Sequence, residues 1–434
     1  MIDKKNTEFV LQNIKGASDF LPEKQIVRDK IISVLKSNFS KYGYMPLETP
    51  ILNYFDLLSY KYGEGAEILS EIYKLKDQGS RNLGLRFDLT VPFCKVIGMN
   101  KNLSMPFRRY EIGKVFRDGP VKAGRAREFY QCDIDVVGID GRLIEVEQMQ
   151  MVIDIFKELE IDIIVKWNNR KLMIGMLSYL QVEASKIDAV VGLIDRLEKI
   201  SRAELLKEFQ NLEIEEERAE KILNLFNKKL EDYVEIFAET TNANLKEGLE
   251  ECLEIQKYIN ELGLNDSTLF VPTLARGLNI YTNTVFEFFD KQNRISSSLG
   301  GGGRYNKIIT EFMDNGIEYP AVGLSFGLEP IYYILSNEYK ESFIDVLIVP
   351  LSTEIECLKL AKELREVNAK VVVDFSNKKV KKSFEYANKN NVKYVIVVGE
   401  DEINQDYFTI KNMIKSEQYK LSKEELIEFV QKNI

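Results

Sequence analysis

The chain has 434 residues, a net charge of −9, 45% hydrophobic and 29% charged residues. That length sustains more than one domain with a sizeable core. The acidic balance means that any nucleic-acid contact must rest on local basic patches. The chain contains no histidine, which closes Ser-His and Cys-His nucleophilic schemes to it and removes the commonest metal ligand. No apolar run reaches the roughly 18 residues of a membrane helix, and the N-terminal stretch MIDKKNTEFVLQNIKG lacks the apolar core of a signal peptide. Cys94, Cys132, Cys252 and Cys357 show no CxxC spacing, which argues against a disulfide framework or a zinc site and predicts a reducing, cytoplasmic location.

In chain order, the first predicted element is a helix after GASDFLP, with Ile26, Ile31, Ile32, Val34, Leu35 and Phe39 at helical spacing and Gly43 as its end. YMPLETPIL reads as an extended segment ending at Pro50. RNLGLRFDLTVPFCKVIG reads as strand, with Asp88 and Thr90 on one face. Next comes a long hairpin: RRYEIGKVF, a Gly/Pro-rich loop DGPVKAGRAR, and EFYQCDIDVVG. Residues 170–264 are rich in Leu, Glu and Lys with almost no Gly or Pro and predict an all-helical insertion. Strands resume with TLFVPTLARGLNIYTNTVFEFFD, RISSSLGGGGRYNKII and PAVGLSFGLEPIYYIL. The last carries Gly323 and Gly327 within strand, where something must come close to the backbone. After residue 343, apolar strands alternate with helices, the pattern of a small α/β domain with a largely parallel sheet.

The hairpin concentrates the residues able to carry chemistry. Arg117, Arg125 and Arg127 suit bidentate phosphate contacts, and Phe129 offers a face on which a base can stack. Gln131, Asp133 and Asp135 alternate and so share the Phe129 face. ARGLNIYTNT adds Arg276, Asn279 and Tyr281, and four successive glycines, 300–303, precede Arg304 and Tyr305. Taken singly, each feature is as well explained by a solvated strand, a plain turn or a charged surface.

Their order and spacing, however, resemble class II aminoacyl-tRNA synthetases, and within them the histidyl-tRNA synthetase family, over nearly the whole chain. KGASDFLP resembles the family's N-terminal signature, YGYMPLETP its first class motif, VFRDGPVKAGRAREFYQCDIDVVG its second, ARGLNIYTNTVFE its histidine-specific segment and LGGGGRY the strand that follows; AVGLSFGLEP stands at the third motif, and DVLIVPL through VKYVIVVGEDE resembles the anticodon-binding domain. The resemblance implies an α+β catalytic domain on an antiparallel sheet (1–169 and 265–335), a helical insertion (170–264) and a C-terminal α/β anticodon-binding domain (343–434).

It implies formation of histidyl-adenylate from histidine and ATP with Mg2+, then transfer to the 3′ end of tRNA(His), in a cytoplasmic homodimer. The substrate's own carboxylate attacks, so no protein nucleophile is required. By resemblance, Arg276 and Arg117 are catalytic at the α-phosphate. Arg117, Arg125, Phe129, Glu111 and Gly327 contact ATP. Asp88, Thr90 and Gln131 take the α-ammonium of histidine, and Asp135 and Tyr281 read its imidazole. No protein metal ligand is implied. The chain departs from the family pattern at Pro330, where an arginine meets the γ-phosphate, at Asn279 and Ile280, and at Asn283, where a glycine is expected. The alternative to an active synthetase is a catalytically impaired paralogue that senses histidine or tRNA.

Overall fold

The computed structural model describes residues 11–60, 67–121, 126–197, 200–275, 280–336 and 343–434. The chain forms two compact units, Met1–Ser336 and Asn337–Ile434.

The first unit is built on strands β1 (Met45–Pro46), β2 (Leu52–Tyr54), β3 (Lys74–Lys76), β4 (Asn82–Leu85), β5 (Phe107–Phe116), β6 (Glu128–Val137), β7 (Ile163–Asn169), β8 (Thr268–Phe270), β9 (Thr284–Asp290), β10 (Gly300–Arg304) and β11 (Ala321–Gly327). Eight of them form one sheet in the order β1-β5-β6-β11-β10-β9-β7-β8, and β2, β4 and β3 form a small one. The six central strands of the large sheet run antiparallel, as expected. The two outermost pairs, β1 with β5 and β7 with β8, are parallel.

Side-chain alternation gives this sheet two unlike faces. One face carries Tyr110, Cys132, Phe288 and Phe326. Helices Pro22–Lys41 and Leu143–Glu158 cover it: the Phe39 ring lies 5.4 Å from Tyr110 and 5.6 Å from Phe326, and Phe156 lies 5.5 Å from Phe288. The other face carries Arg109, Glu111, Gln131, Asp133 and Asp135. One end of that second face is closed by a cluster of Phe93, Ile97, Leu274, Tyr281, Tyr305 and Ile309. Helices Thr90–Met99 and Asn306–Met313 contribute to it.

Residues 86–99 differ from the strand expected of them. The strand stops at Leu85, and Thr90–Met99 is helical. Asp88 Oδ1 accepts the Val91 N–H at 2.9 Å, a capping bond that starts the helix. Phe93, Cys94 and Ile97 then bury one helical stripe. Between Arg170 and Glu261 the chain is helical apart from its connections, the main helices being Arg170–Tyr179, Ile187–Ile194, Arg202–Asn211, Glu216–Leu225 and Ala243–Glu261.

The second unit has β12 (Val346–Pro350), β13 (Val371–Val373), β14 (Tyr394–Val398), β15 (Tyr407–Asn412) and β16 (Gln418–Ser422) in the order β13-β12-β14-β15-β16. The first three are parallel, as read from the sequence. β15 and β16 add an antiparallel hairpin with no counterpart in that reading. β15 buries Phe408 and Ile410 and turns Thr409 and Lys411 outward, an alternation that the sequence reading passed over.

Strand β11 runs straight into helix Leu328–Leu335. Pro330 is the third residue of that helix, a first-turn place where no intrahelical N–H is lost. Its neighbour Glu329 pairs with Arg28 at 2.5 Å. Arg28 is 1% exposed and lies on the Cys132 side of the sheet, with its guanidinium carbon 3.8 Å from the Phe20 ring centre and 5.4 Å from that of Tyr130. This cation therefore braces the covered face and does not stand in for an arginine at position 330. Arg28→Ala is expected to lower unfolding free energy by about 2 kcal/mol in urea titration, since the partner is partly exposed, while KM for ATP stays within about twofold.

Candidate active site

The hairpin β5–β6 and strand β11 set three rows side by side. Asp135 faces Arg109 on one neighbour and Gly323 on the other; Asp133 faces Glu111 and Ser325; Gln131 faces Gly113 and Gly327. Three glycines in this floor are hollows filled by the protein's own side chains. A Cβ at Gly323 would lie 2.0 Å from Asp135 Oδ1. One at Gly113 would lie 2.2 Å from Arg86 Nη2, and one at Gly303 would lie 2.9 Å from the Tyr281 ring. Gly303 and Gly323 are register partners, so the Tyr281 ring and the Asp135 carboxylate lean over adjacent backbone. At Gly327 the close neighbours are the Pro330 ring, 3.1 Å from a built Cβ, and the Leu299 carbonyl at 3.2 Å.

The charges are as tightly organised. Arg109 is fully buried; its Nη2 lies 2.5 Å from Asp135 Oδ2, and its guanidinium carbon lies 4.4 Å from the Phe93 ring centre. Its burial works against the charge, but Asp135, Asp133 and Glu111 outweigh that and raise its pKa. Tyr305 O–H donates to Asp135 Oδ1. Burial pushes the Asp135 carboxyl up to about 6, with Arg109 and the Tyr305 bond opposing. Burial pushes Asp133 up to about 7; Arg109 opposes this, and Asp135 adds to it. Asp88 contributes negative charge to both carboxyls, which places it beside this floor. Gln131 Oε1 and Asp133 Oδ1 are buried acceptors without a hydrogen-bond partner, a costly condition that a bound donor would relieve.

Several sequence-predicted residues meet here. Asp88, Gln131, Asp135 and Tyr281 line one region; Asp88 is 6% and Tyr281 9% exposed. Thr90 belongs to the same turn but as the first residue of a helix, not beside Asp88 on a strand face. Arg109 Nη2 ties this turn to the floor through the Leu89 carbonyl at 3.4 Å. Arg117 has its guanidinium carbon 5.0 Å from the Phe87 ring centre and 4.9 Å from that of Phe129, so it already lies over the ring expected to stack on a base. Glu111 is 1% exposed; it accepts Thr49 N–H at 2.9 Å and Arg86 at 2.7 Å, so its carboxylate organises the floor rather than reaching out of it. Arg127 is engaged with the Gly119 carbonyl at 3.2 Å and Asp118 at 3.4 Å. Arg125, Arg276 and Asn279 lie outside the described residues. Asn283, at the place of the expected glycine, is 2% exposed and donates to Glu251.

Sequence reasoning gave no role to Arg109, Tyr305 or Arg86. Arg109 was within reach: pairing RRYEIGKVF against EFYQCDIDVV in register puts it opposite Asp135. Tyr305 follows the glycine strand, but only the tertiary fold brings it across to Asp135.

An antiparallel sheet with one face helix-covered and the other an acidic, arginine-lined floor, joined to an α/β unit, defines a class II aminoacyl-tRNA synthetase. The family model for histidyl-tRNA synthetase matches residues 16–331, and that for the anticodon binding domain matches residues 345–433. The chain is 45% identical to Histidine--tRNA ligase 1 of Bacillus cereus over 95% of both chains. It is 40% identical to Histidine--tRNA ligase 2 of Shouchella clausii over 93% of this chain and 96% of that one. The crystal structure of histidyl-tRNA synthetase from a Nostoc species superposes with a TM-score of 0.88 at 26% identity, covering 98% of this chain and all of that one. The chain belongs to the histidyl-tRNA synthetase family.

Two outcomes follow from the floor. Gly323→Ala forces the Asp135 carboxylate aside and is expected to cost about 1–3 kcal/mol in thermal unfolding. The raised carboxyls also set a pH dependence. Folded Asp133 and Asp135 hold their protons above the ordinary 3.8, so the folded state binds more protons than the unfolded chain between about 4 and 7. Their contribution to stability is full below that window and is lost as pH rises through 6 and 7. In the ligand-free protein, Asp133→Asn is therefore expected to raise Tm relative to wild type more at pH 8 than at pH 5.

Proposed function

We propose that this histidine–tRNA ligase binds histidine on the Gln131–Asp135 floor and ATP along the β5–β6 hairpin. The observation that carries this placement is the pair of unpartnered buried acceptors, Gln131 Oε1 and Asp133 Oδ1, beside Asp88 in a floor rich in carboxylates. Such a floor suits an α-ammonium group, which Asp88, Thr90 and Gln131 take. Asp135, aimed by Arg109 and Tyr305, and Tyr281 over Gly303 read the imidazole, whose two nitrogens need distinct partners.

The histidine carboxylate attacks the α-phosphorus of ATP; the bond to the bridging oxygen breaks and pyrophosphate leaves. No protein group needs to accept a proton in this step. The chain's task is orientation and charge neutralisation. Arg117, held by the Phe87 and Phe129 rings, and Arg276 neutralise the α-phosphate. Arg125 reaches the outer phosphates, Phe129 supports the adenine, and Glu111 and Gly327 shape the site from beneath. A ribose hydroxyl at the tRNA 3′ end then attacks the carbonyl of the adenylate and releases AMP. Mg2+ bound together with ATP would supply charge neutralisation at the phosphates. Among the described residues no group of three or more acidic or cysteine side chains is arranged to hold a metal ion.

The helical segment 170–264 and the unit Asn337–Ile434 contact tRNA(His), the latter at the anticodon. The enzyme works as a cytoplasmic homodimer. Supporting the dimer, Ile51, Leu52, Tyr54 and Leu75 on and beside the small sheet are exposed apolar residues. No described helix is long and apolar enough to cross a membrane.

The test is histidine-dependent ATP–pyrophosphate exchange. Exchange is expected in wild type, with Arg117→Ala lowering kcat by about 10²–10³. Pro330→Arg is expected to lower KM for ATP, by up to about tenfold if one phosphate contact is restored. Histidine binding without exchange would instead mark a sensor.

A further inference from the structure

Glu251 lies on helix Ala243–Glu261, where the helical segment meets the large sheet. It is 6% exposed. Its carboxylate gathers donors from four separate elements: Asn169 Nδ2 at 2.6 Å, Asn283 Nδ2 at 2.7 and 3.0 Å, Arg142 Nη2 at 2.9 Å and Lys171 Nζ at 3.3 Å. These partners stand at the end of β7, the entry to β9, the loop after β6 and the first turn of helix Arg170–Tyr179.

Asn283 is thereby held at both ends. Its amide donates to Glu251, and its carbonyl accepts the Arg170 N–H at 2.8 Å. The next contact upstream is equally fixed: Thr282 N–H donates to the Arg304 carbonyl at 2.8 Å. Arg304 is itself clamped, with Nε and Nη2 on Glu145 at 2.7 and 2.8 Å and its other hydrogens on the carbonyls of Ile139 and Gly141. Arg142 closes the circuit, with Nη1 3.5 Å from Glu145. Tyr281 directly precedes this anchored pair, with its ring over Gly303.

Buried ion clusters of this kind add little net stability compared with apolar packing. What they fix well is geometry, because each donor has one acceptable direction. Here the fixed geometry is that of the segment presenting Tyr281 to the floor.

We propose that Glu251 is a positioning residue for histidine recognition: through Asn283 it sets the Tyr281 ring over Gly303, the register partner of Gly323. This rests on the placement of histidine given above. It makes the helical segment part of the amino-acid pocket's frame.

The experiment uses the full chain without tRNA and compares Glu251→Gln, Asn283→Ala and the exchanged pair Glu251→Gln/Asn283→Asp. Pyrophosphate exchange gives KM for histidine, KM for ATP and kcat; calorimetry gives histidine affinity directly. Each single variant is expected to raise KM for histidine about tenfold and weaken its Kd in proportion, with KM for ATP and kcat within about twofold of wild type. The exchanged pair, which keeps one carboxylate and one amide in contact, is expected to recover most of the loss. The proposal is overturned if histidine KM and Kd stay within about twofold in both single variants, or if KM for ATP rises and kcat falls along with the rise in KM for histidine. If Glu251→Gln fails to fold, Asn283→Ala decides. A wild type with no exchange defeats the catalytic reading, while calorimetry with histidine still decides this one.

Discussion

Three carboxylates, Glu111, Asp133 and Asp135, share the interior of one sheet face with two buried guanidinium groups. That arrangement is the constraint around which the rest of the first unit is organised. Carboxylates so far from water are costly unless they are paired. Arg109 meets Asp135, and Arg86 meets Glu111, each at hydrogen-bond distance. Asp133 is left with an open acceptor. The sheet accommodates these long side chains by giving up others: Gly113 makes room for Arg86, and Gly323 makes room for Asp135.

The same constraint explains why the two faces differ. Helix Pro22–Lys41 covers the apolar face with Val34, Leu35 and Phe39 and carries one buried cation, Arg28, which Glu329 neutralises. The floor face is closed at one end by Phe93, Leu274, Tyr281 and Tyr305. Gln131 Oε1 and Asp133 Oδ1, both without a hydrogen-bond partner, belong to this face. It is on this face that the proposed histidine site lies.

Much of this was legible in the sequence. Alternation in EFYQCDIDVVG put Gln131, Asp133 and Asp135 on one face, and β6 bears that out. The change of composition after residue 170 marked the helices. What escaped was set by competition between local signals or by distance in sequence. In FDLTVPFCK the β-branched residues favoured strand, but the Asp88 capping bond and a buried helical stripe decided for helix. The glycines of β11 were read as a place where something comes close to the backbone, without saying what; at Gly323 it is the protein's own Asp135. Nothing local announces that, since Asp135 and Gly323 lie far apart along the chain. The tie between Glu251 and Asn283 is hidden for the same reason.

Gly323 and Asp135 also bear on how this protein can diverge. The two positions occupy one volume, so neither side chain can be altered alone without penalty. Shortening Asp135 opens a void above Gly323, and enlarging Gly323 collides with Asp135. On the proposed role of Asp135 as a reader of the imidazole, a lineage drifting toward a different amino-acid substrate would have to pass through one of those handicapped intermediates. On that role the glycine acts as an evolutionary ratchet on substrate choice, from the neighbouring strand.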